Sequence, residues 1–411
     1  MRIAIVGAGI VGLAAAHALL DRGYQVTLVA PGDQAARPTD GNAGWIAHTD
    51  IMPLASPKVW RNLPNWLADP LGPLTIRPSY LPALTPWLMR FILASSPARI
   101  KASMAAIRAI NAEALPCWRD RLSSLGLSAH LREHGILSVW KRRAAFLRAQ
   151  DVIDRQRDLG IGAEVIDLSD LSRLEPALRN VEVGVLYPEA CHISDPAHLA
   201  SDLMRLALER GVRHVAARAL AVEPKDGEIQ VHTNDPANVV AADRVLIAAG
   251  IWSRPLAKTL GDRVPLDTER GYNATYPKGA FGLGRPVMFE GEGFVASPLD
   301  TGDRVGGAVE FAGLDAEPNH DRTSAMIARL KRFLPDFDAG QDARRWMGFR
   351  PSIPDSLPVI GSSRRDKRMV YAFGHGHHGL TQAAITAQLV ADLIGGATSR
   401  IDLKPYSAQR F

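Results

Sequence analysis

Between Arg2 and Val29 the chain has the pattern of a single βαβ unit. Arg2-Ile3-Ala4-Ile5-Val6 is a short run rich in β-branched residues, suited to a strand buried on both faces. Gly7-Ala8-Gly9-Ile10-Val11-Gly12 follows without a spacer. An Ala/Leu-rich stretch from Ile10 to Leu20 then predicts a helix closed by Arg22-Gly23, and Gln25 to Val29 predicts a second strand. The glycines have separate tasks. Gly7 permits the tight turn, Gly9 lets a pyrophosphate approach the backbone, and Gly12 lets helix and strand pack closely. The helix N-terminus offers free N–H groups and a partial positive charge to phosphate oxygens. The unit therefore points to a dinucleotide, with one part missing. Ala30 stands where an acid would hold a ribose hydroxyl, so that contact is left to Asp33 in the next loop or to a backbone group.

With 411 residues the chain is long for one core, and two domains are expected. A hydrophobic share of 46% and a charged share of 22% are those of a globular protein. No uncharged apolar run reaches the ~18 residues of a membrane span. Leu81 to Ala94 comes nearest but is broken by Pro82, Pro86 and Arg90. The apolar stretch after Arg2 is already used as strand and glycine loop, so no secretory signal is expected. Cys117 and Cys191 stand far apart in no metal or redox spacing, which fits a reducing cytoplasm. The net charge of +5 is spread rather than blocked, so nucleic acid is not indicated. A cytoplasmic protein is expected, with peripheral contact at the inner face of the membrane left open.

Later segments continue the α/β pattern. Asp195-Pro196 starts a helix with an N-cap and a proline in its first turn. Val245 to Gly250 is another doubly buried strand ending on a glycine, and such strand ends face the ligand crevice of an α/β sheet. Gly271 to Phe311 alternates as antiparallel strands would. Met369 to Phe373 predicts a strand, Gly374 to Gly379 a glycine–histidine loop, and Leu380 to Ile394 a final helix. Residues 51 to 87 carry Pro53, Pro57, Pro64, Pro70, Pro73, Pro78, Pro82 and Pro86 with Trp60, Trp66 and Trp87. Short helices and turns are expected there, with the tryptophans packed between domains or, alternatively, forming a lid or a membrane-docking edge. The organisation read from these segments is a Rossmann-like domain of residues 1–50, 194–260 and 346–411. A second domain on a largely antiparallel sheet with helices takes 51–193 and 261–345.

Seven stretches in order carry a family resemblance. They are Gly7 to Gly12, Gly41-Asn42-Ala43-Gly44, Ala248-Ala249-Gly250-Ile251-Trp252-Ser253, Glu269-Arg270-Gly271-Tyr272, Gly307-Ala308-Val309-Glu310-Phe311, Gly348 to Gly361 and Gly374 to Thr381. The chain resembles the D-amino-acid oxidase superfamily of FAD proteins, most of all its bacterial D-amino-acid dehydrogenase branch. The resemblance implies an FAD facing a pocket in the second domain. Gly7, Gly9, Ile10, Val11 and Gly12 would hold its phosphates, and Asn42, Ala43 and Gly44 would line the flavin. Ala249, Gly250 and Trp252 would meet the flavin or its ribityl chain. Gly376, His377, His378, Gly379, Leu380 and Thr381 would set the last helix at the flavin edge, where its N-terminus favours the negative charge of the reduced ring. Neither cysteine lies in a flavin motif, so a non-covalent FAD is expected.

In such a protein Arg350 would grip a substrate carboxylate with two parallel hydrogen bonds. Tyr272 would bond the same carboxylate or serve as a strand aromatic. His48 and His377 are candidates to face the substrate, His48 alternatively being a core histidine; no metal is expected at the histidines. The implied reaction is hydride transfer from the α-carbon of a D-amino acid to flavin N5, giving an imino acid that hydrolyses to a 2-oxo acid. Electrons would pass on to a quinone, a carrier protein or oxygen. Alternatives are an N-substituted amino acid of sarcosine, proline or betaine type, the flavin subunit of a multi-subunit dehydrogenase, and an NAD(P)-linked reductase using the first βαβ unit.

Overall fold

The computed structural model describes every residue except 33–36, 57–58, 61–62, 64–65 and 67–68. Asp33 lies outside the described residues, as do Pro57 and Pro64 of the proline-rich segment.

The apolar runs read from the sequence assemble one six-stranded sheet. Strand β1 (Arg2–Val6) lies between β2 (Gln25–Val29) and β4 (Arg244–Ile247). The short β3 (Arg213–Val215) flanks β2 on the outside. On the far side β4 pairs with β9 (Met369–Phe373), and β8 (Val359–Ser362) closes the edge. All pairings are parallel except β8 with β9. Helix α1 (Ile10–Leu20) and the last helix, α2 (Gly379–Gly395), pack against each other on one face of this sheet. Their contact is rich in alanine: Ala14, Ala15 and Ala18 on one side, Ala383, Ala384 and Ala387 on the other. Small residues allow a close approach. Asp195 caps the helix Pro196–Glu209 by accepting from the Ala197 and His198 N–H groups, as its Asp-Pro start predicts.

The second sheet has nine strands and is mostly antiparallel. At one end β7 (Arg344–Ser352) pairs along its whole length with β5 (Asp267–Tyr276), and β5 pairs with β6 (Gly302–Phe311). Strand β7 belongs to this sheet, and residue 346 lies within it. Two pairings are parallel: Leu74–Ile76 with β6, and Val287–Phe289 with Ile136–Trp140.

The proline-rich segment departs from expectation at its end. Leu81–Ala94 is a 14-residue helix despite two prolines. Pro82 sits in the first turn, where no intrahelical N–H bond is lost, and Pro86 forfeits one bond of the ladder. Burial of Leu84, Trp87 and Phe91 on one side compensates. Among the described residues no helix is long and apolar enough to cross a membrane.

Candidate active site

A cavity of about 1100 Å³ runs between the two sheets. One end is formed by the turn after β1. Gly7 has φ +110°, and a Cβ there would stand 2.5 Å from the Ala248 carbonyl oxygen, so the turn tolerates only glycine. A Cβ on Gly12 would meet the Gly7 oxygen at 2.0 Å, so Gly12 serves helix packing and does not line the cavity. At Gly9 the same atom would meet nothing within 4 Å, which leaves open space above the backbone. Gly9 also N-caps α1 with no side-chain cap. Gly9, Ile10 and Val11 line the cavity here, and Gly376, Gly379 and Leu380 line it at the start of α2, which also has no side-chain cap. Two helix N-termini that lack a cap from their own N-cap side chains thus face one cavity, with the Ile10 N–H of α1 donating to the Thr39 hydroxyl at 3.3 Å. That donor set suits an anionic dinucleotide.

The loop 40–44 is clamped from the second sheet. Arg304 Nη1 donates to the Asn42 oxygen at 2.5 Å and the Asp40 oxygen at 3.0 Å, and Asn273 Nδ2 donates to the Gly41 oxygen at 2.8 Å. The Trp346 ring lies so close over Gly41 that a Cβ there would come within 2.2 Å of it. Burial pushes the Arg304 guanidinium down to about 10. Asn42 and Ala43 line the cavity; Gly44 does not, and packs at φ +84° against the Ile193 oxygen. Ala249, Gly250 and Trp252 line it from the end of β4, with Trp252 edge-on to Phe349. Thr381 is turned to another task, its hydroxyl accepting the Ala47 N–H at 2.9 Å.

Arg350 lines the cavity from β7. Its guanidinium lies over Gly271, where a Cβ would come 2.3 Å from Arg350 Cζ. Among the described residues its side chain makes one hydrogen bond, from Nη1 to the Ala308 oxygen at 3.2 Å. Most of its donors therefore stay unspent toward the cavity. Burial lowers its pKa, and the charge of Glu269, its neighbour across the strand pair, opposes that shift. Glu269 is buried and accepts from His377 Nε2 at 2.6 Å and from the Ser352 hydroxyl at 2.5 Å. Burial alone would raise the Glu269 carboxyl. The charge and hydrogen bond of His377, with Ser352 and Arg350, hold it below the ordinary glutamate value. His377 is half-exposed on the cavity wall, and His378 lies beside it, 3.4 Å from Asp50.

Two candidates have other partners. The Tyr272 hydroxyl donates to Glu310 and accepts the Asn319 N–H at 3.1 Å, on the opposite side of β5 from Glu269. Its hydroxyl is thus engaged by Glu310 and Asn319, and Tyr272 also lines the cavity. His48 does not line the cavity; its Nδ1 lies 3.2 Å from the Ile46 oxygen. The tryptophans are corrected in the other direction. Trp60, Trp66 and Trp87 all line the cavity rather than only joining domains. Glu269, Asn273, Arg304 and Trp346 received no role from sequence; Glu269 alone carried a signal, as the first residue of the Glu-Arg-Gly-Tyr stretch.

A largely parallel sheet with a glycine turn, joined to a largely antiparallel sheet across a cavity lined by a guanidinium with one hydrogen bond among the described residues, defines a two-domain dinucleotide enzyme. The family model of FAD dependent oxidoreductases (DAO) matches residues 2–393, and the chain belongs to that family. FAD is its cofactor, and the glycine turn, the two helix N-termini and the clamped loop fit it. The chain is 35% identical to a D-amino-acid oxidase of Bradyrhizobium diazoefficiens over 100% of this chain and 98% of that one. It is 31% identical to D-amino acid dehydrogenase 2 of Ralstonia nicotianae over the full length of both. Among solved structures, glycine oxidase from Geobacillus kaustophilus superposes with a TM-score of 0.77 at 19% identity, covering 100% of this chain and 99% of that one. L-proline dehydrogenase from P. horikoshii does so at 0.76 and 18%, covering 100% and 97%. These two establish the fold alone.

Proposed function

We propose that this enzyme oxidises the C–N bond of a D-amino acid. The observation that carries the reading is Arg350, a guanidinium at the cavity wall with most of its donors unspent. Such a fork suits a carboxylate, which it holds by two parallel charged hydrogen bonds. Beside it stands the opposite pole. His377 lies on the cavity wall with Nε2 2.6 Å from Glu269, so an amine turned to this end meets an imidazole backed by a buried acid. A carboxylate gripped at Arg350 and an amine turned toward His377 fix the carbon between them, and this orientation lowers the barrier. FAD, when bound, supplies the two-electron acceptor. The D configuration is supported by the names of the two relatives above, both full-length matches. Neither Cys117 nor Cys191 lines the cavity, which supports a non-covalent cofactor.

The acceptor of the electrons is read from the helix Leu81–Ala94. Its outer side exposes Leu81, Met89, Ile92 and Leu93, and Leu81 and Ile92 also border the cavity. From 70 to 112 the chain has no acid, and it carries Arg90, Arg99, Lys101 and Arg108 besides Arg77, which is paired with Glu310. An apolar face with basic flanks fits an anionic membrane surface, and so a membrane quinone. Sedimentation with anionic but not neutral vesicles is expected; equal recovery in the supernatant would refute the membrane part. The reaction itself is tested by anaerobic bleaching of the yellow holoenzyme against D-, L- and N-methyl amino acids. Bleaching by D-amino acids is expected, and bleaching by L- or N-methyl forms alone would overturn the reading.

A further inference from the structure

We propose that His377, positioned by Glu269, takes the proton of the substrate ammonium before the C–N bond is oxidised. The proposal rests on the reading above, in which Arg350 holds the carboxylate, and gives the amine end its chemistry. An ammonium has no lone pair with which to form a C=N bond as hydride leaves the α-carbon. One proton must go first, and a positioned base takes it. Glu269 and Gly271 share one face of β5, and the Arg350 guanidinium lies over Gly271. Across the strand pair Glu269 is in register with Arg350. The loop before α2 brings His377 to the same carboxylate, with Nε2 2.6 Å from Oε2. Glu269 thus stands between a permanent cation and a ring that is charged only when protonated.

Counting charges gives the direction of the step. Arg350 and the bound ammonium are positive, while Glu269 and the substrate carboxylate are negative. Moving one proton from the ammonium to His377 keeps this set neutral and brings the positive charge against a buried carboxylate. In a site poor in water such a contact is strong. The Ser352 hydroxyl donates to the other oxygen of Glu269 at 2.5 Å and fixes it. The neighbouring histidines have other tasks. His375 is buried against the Thr386 hydroxyl and held down at about 3 by burial, and His378 faces Asp50 at 3.4 Å. Nδ1 of His377 has no hydrogen-bond partner among the described residues, and the residue lines the cavity. The proton therefore passes from the substrate nitrogen to Nδ1. The nitrogen lone pair then forms the C=N bond while hydride passes from the α-carbon to FAD. The imino acid hydrolyses, and the half-exposed imidazolium returns its proton to water. Glu269 acts through the ring, as the counter-charge of the imidazolium.

The experiment follows anaerobic flavin reduction of the holoenzyme by D-alanine or D-phenylalanine, whichever is faster, from about pH 5.5 to 10. In the parent the second-order rate falls below one break on the acid side. His377→Gln is expected to lose about 100-fold at neutral pH and to recover as pH rises through the ionisation of the substrate ammonium itself. In Glu269→Gln the imidazolium lacks its counter-charge, so the acid break moves to lower pH. If Glu269→Gln does not fold, His377→Gln decides, since its ring is half-exposed. Propionate, a carboxylate without an amine, is expected to perturb the flavin spectrum of the parent and of His377→Gln with the same Kd. An acid break unchanged in His377→Gln, or propionate binding weakened there, would overturn the inference while leaving the function above intact. If no amino acid reduces the flavin of the parent, that function falls and this inference with it.

Discussion

Replacing Gly271 by alanine puts a methyl carbon 2.3 Å from Arg350 Cζ and 2.4 Å from its Nη2. Ordinary contact begins near 3.4 Å, so the guanidinium must retreat by about 1.1 Å. The backbone at 271 is not in the left-handed region, and the obstructing atoms end a flexible side chain, so the sheet itself absorbs little strain. The displacement falls on the substrate grip. A shift of this size at a positioning group costs roughly 100-fold in rate, or about 2.7 kcal/mol of transition-state stabilisation. Steady-state kinetics of Gly271→Ala, Arg350→Ala and the double variant form the assay, with flavin absorbance and thermal melting as checks on the fold. Arg350→Ala chiefly raises KM for carboxylated substrates. The double variant is expected to lose no more than Arg350→Ala alone, because both changes remove one interaction. Activity of Gly271→Ala within threefold of the parent, or losses that multiply, would refute the role given to Arg350.

Three further outcomes are expected. Gly9→Leu adds a side chain where no protein atom lies within 4 Å and where the backbone is extended, so the protein should fold, melt as the parent apoprotein does, and retain little FAD on gel filtration. Arg304→Met leaves the Asp40 and Asn42 carbonyls without their buried donor, at a cost on the order of 3 kcal/mol, read as a lower urea midpoint and faster flavin loss. Burial holds His17 down at about 4 instead of 6.5, so as pH falls the unfolded chain takes up a proton first. Stability is then lost between pH 6.5 and 4, by up to about 3 kcal/mol from this group, and His17→Gln should make the fall in urea midpoint shallower.

The parts of this molecule written in short spacings were legible. The glycine turn after β1, the cap at Asp195 and the glycine–histidine approach to α2 each depend on neighbours in sequence. Long-range partners were not legible. Glu269 and His377 lie 108 positions apart, and Arg304 reaches a loop more than 250 positions away. The bond from Tyr272 to Glu310 was hidden for a different reason. Every residue of β5 is buried, so polar and apolar residues give no alternation to show which side chains turn toward Glu310. The tryptophans of residues 51–87 show the same limit, since an apolar wall around a ligand and an apolar interface between domains have one composition.

The central claim is that this cavity recognises its substrate through a carboxylate held by Arg350. The most direct measurement mixes the oxidised holoenzyme without oxygen with D-phenylalanine and, separately, with D-phenylalaninamide. Rapid loss of the yellow absorbance with the acid and little with the amide is the expected result. Equal bleaching by both would contradict the claim.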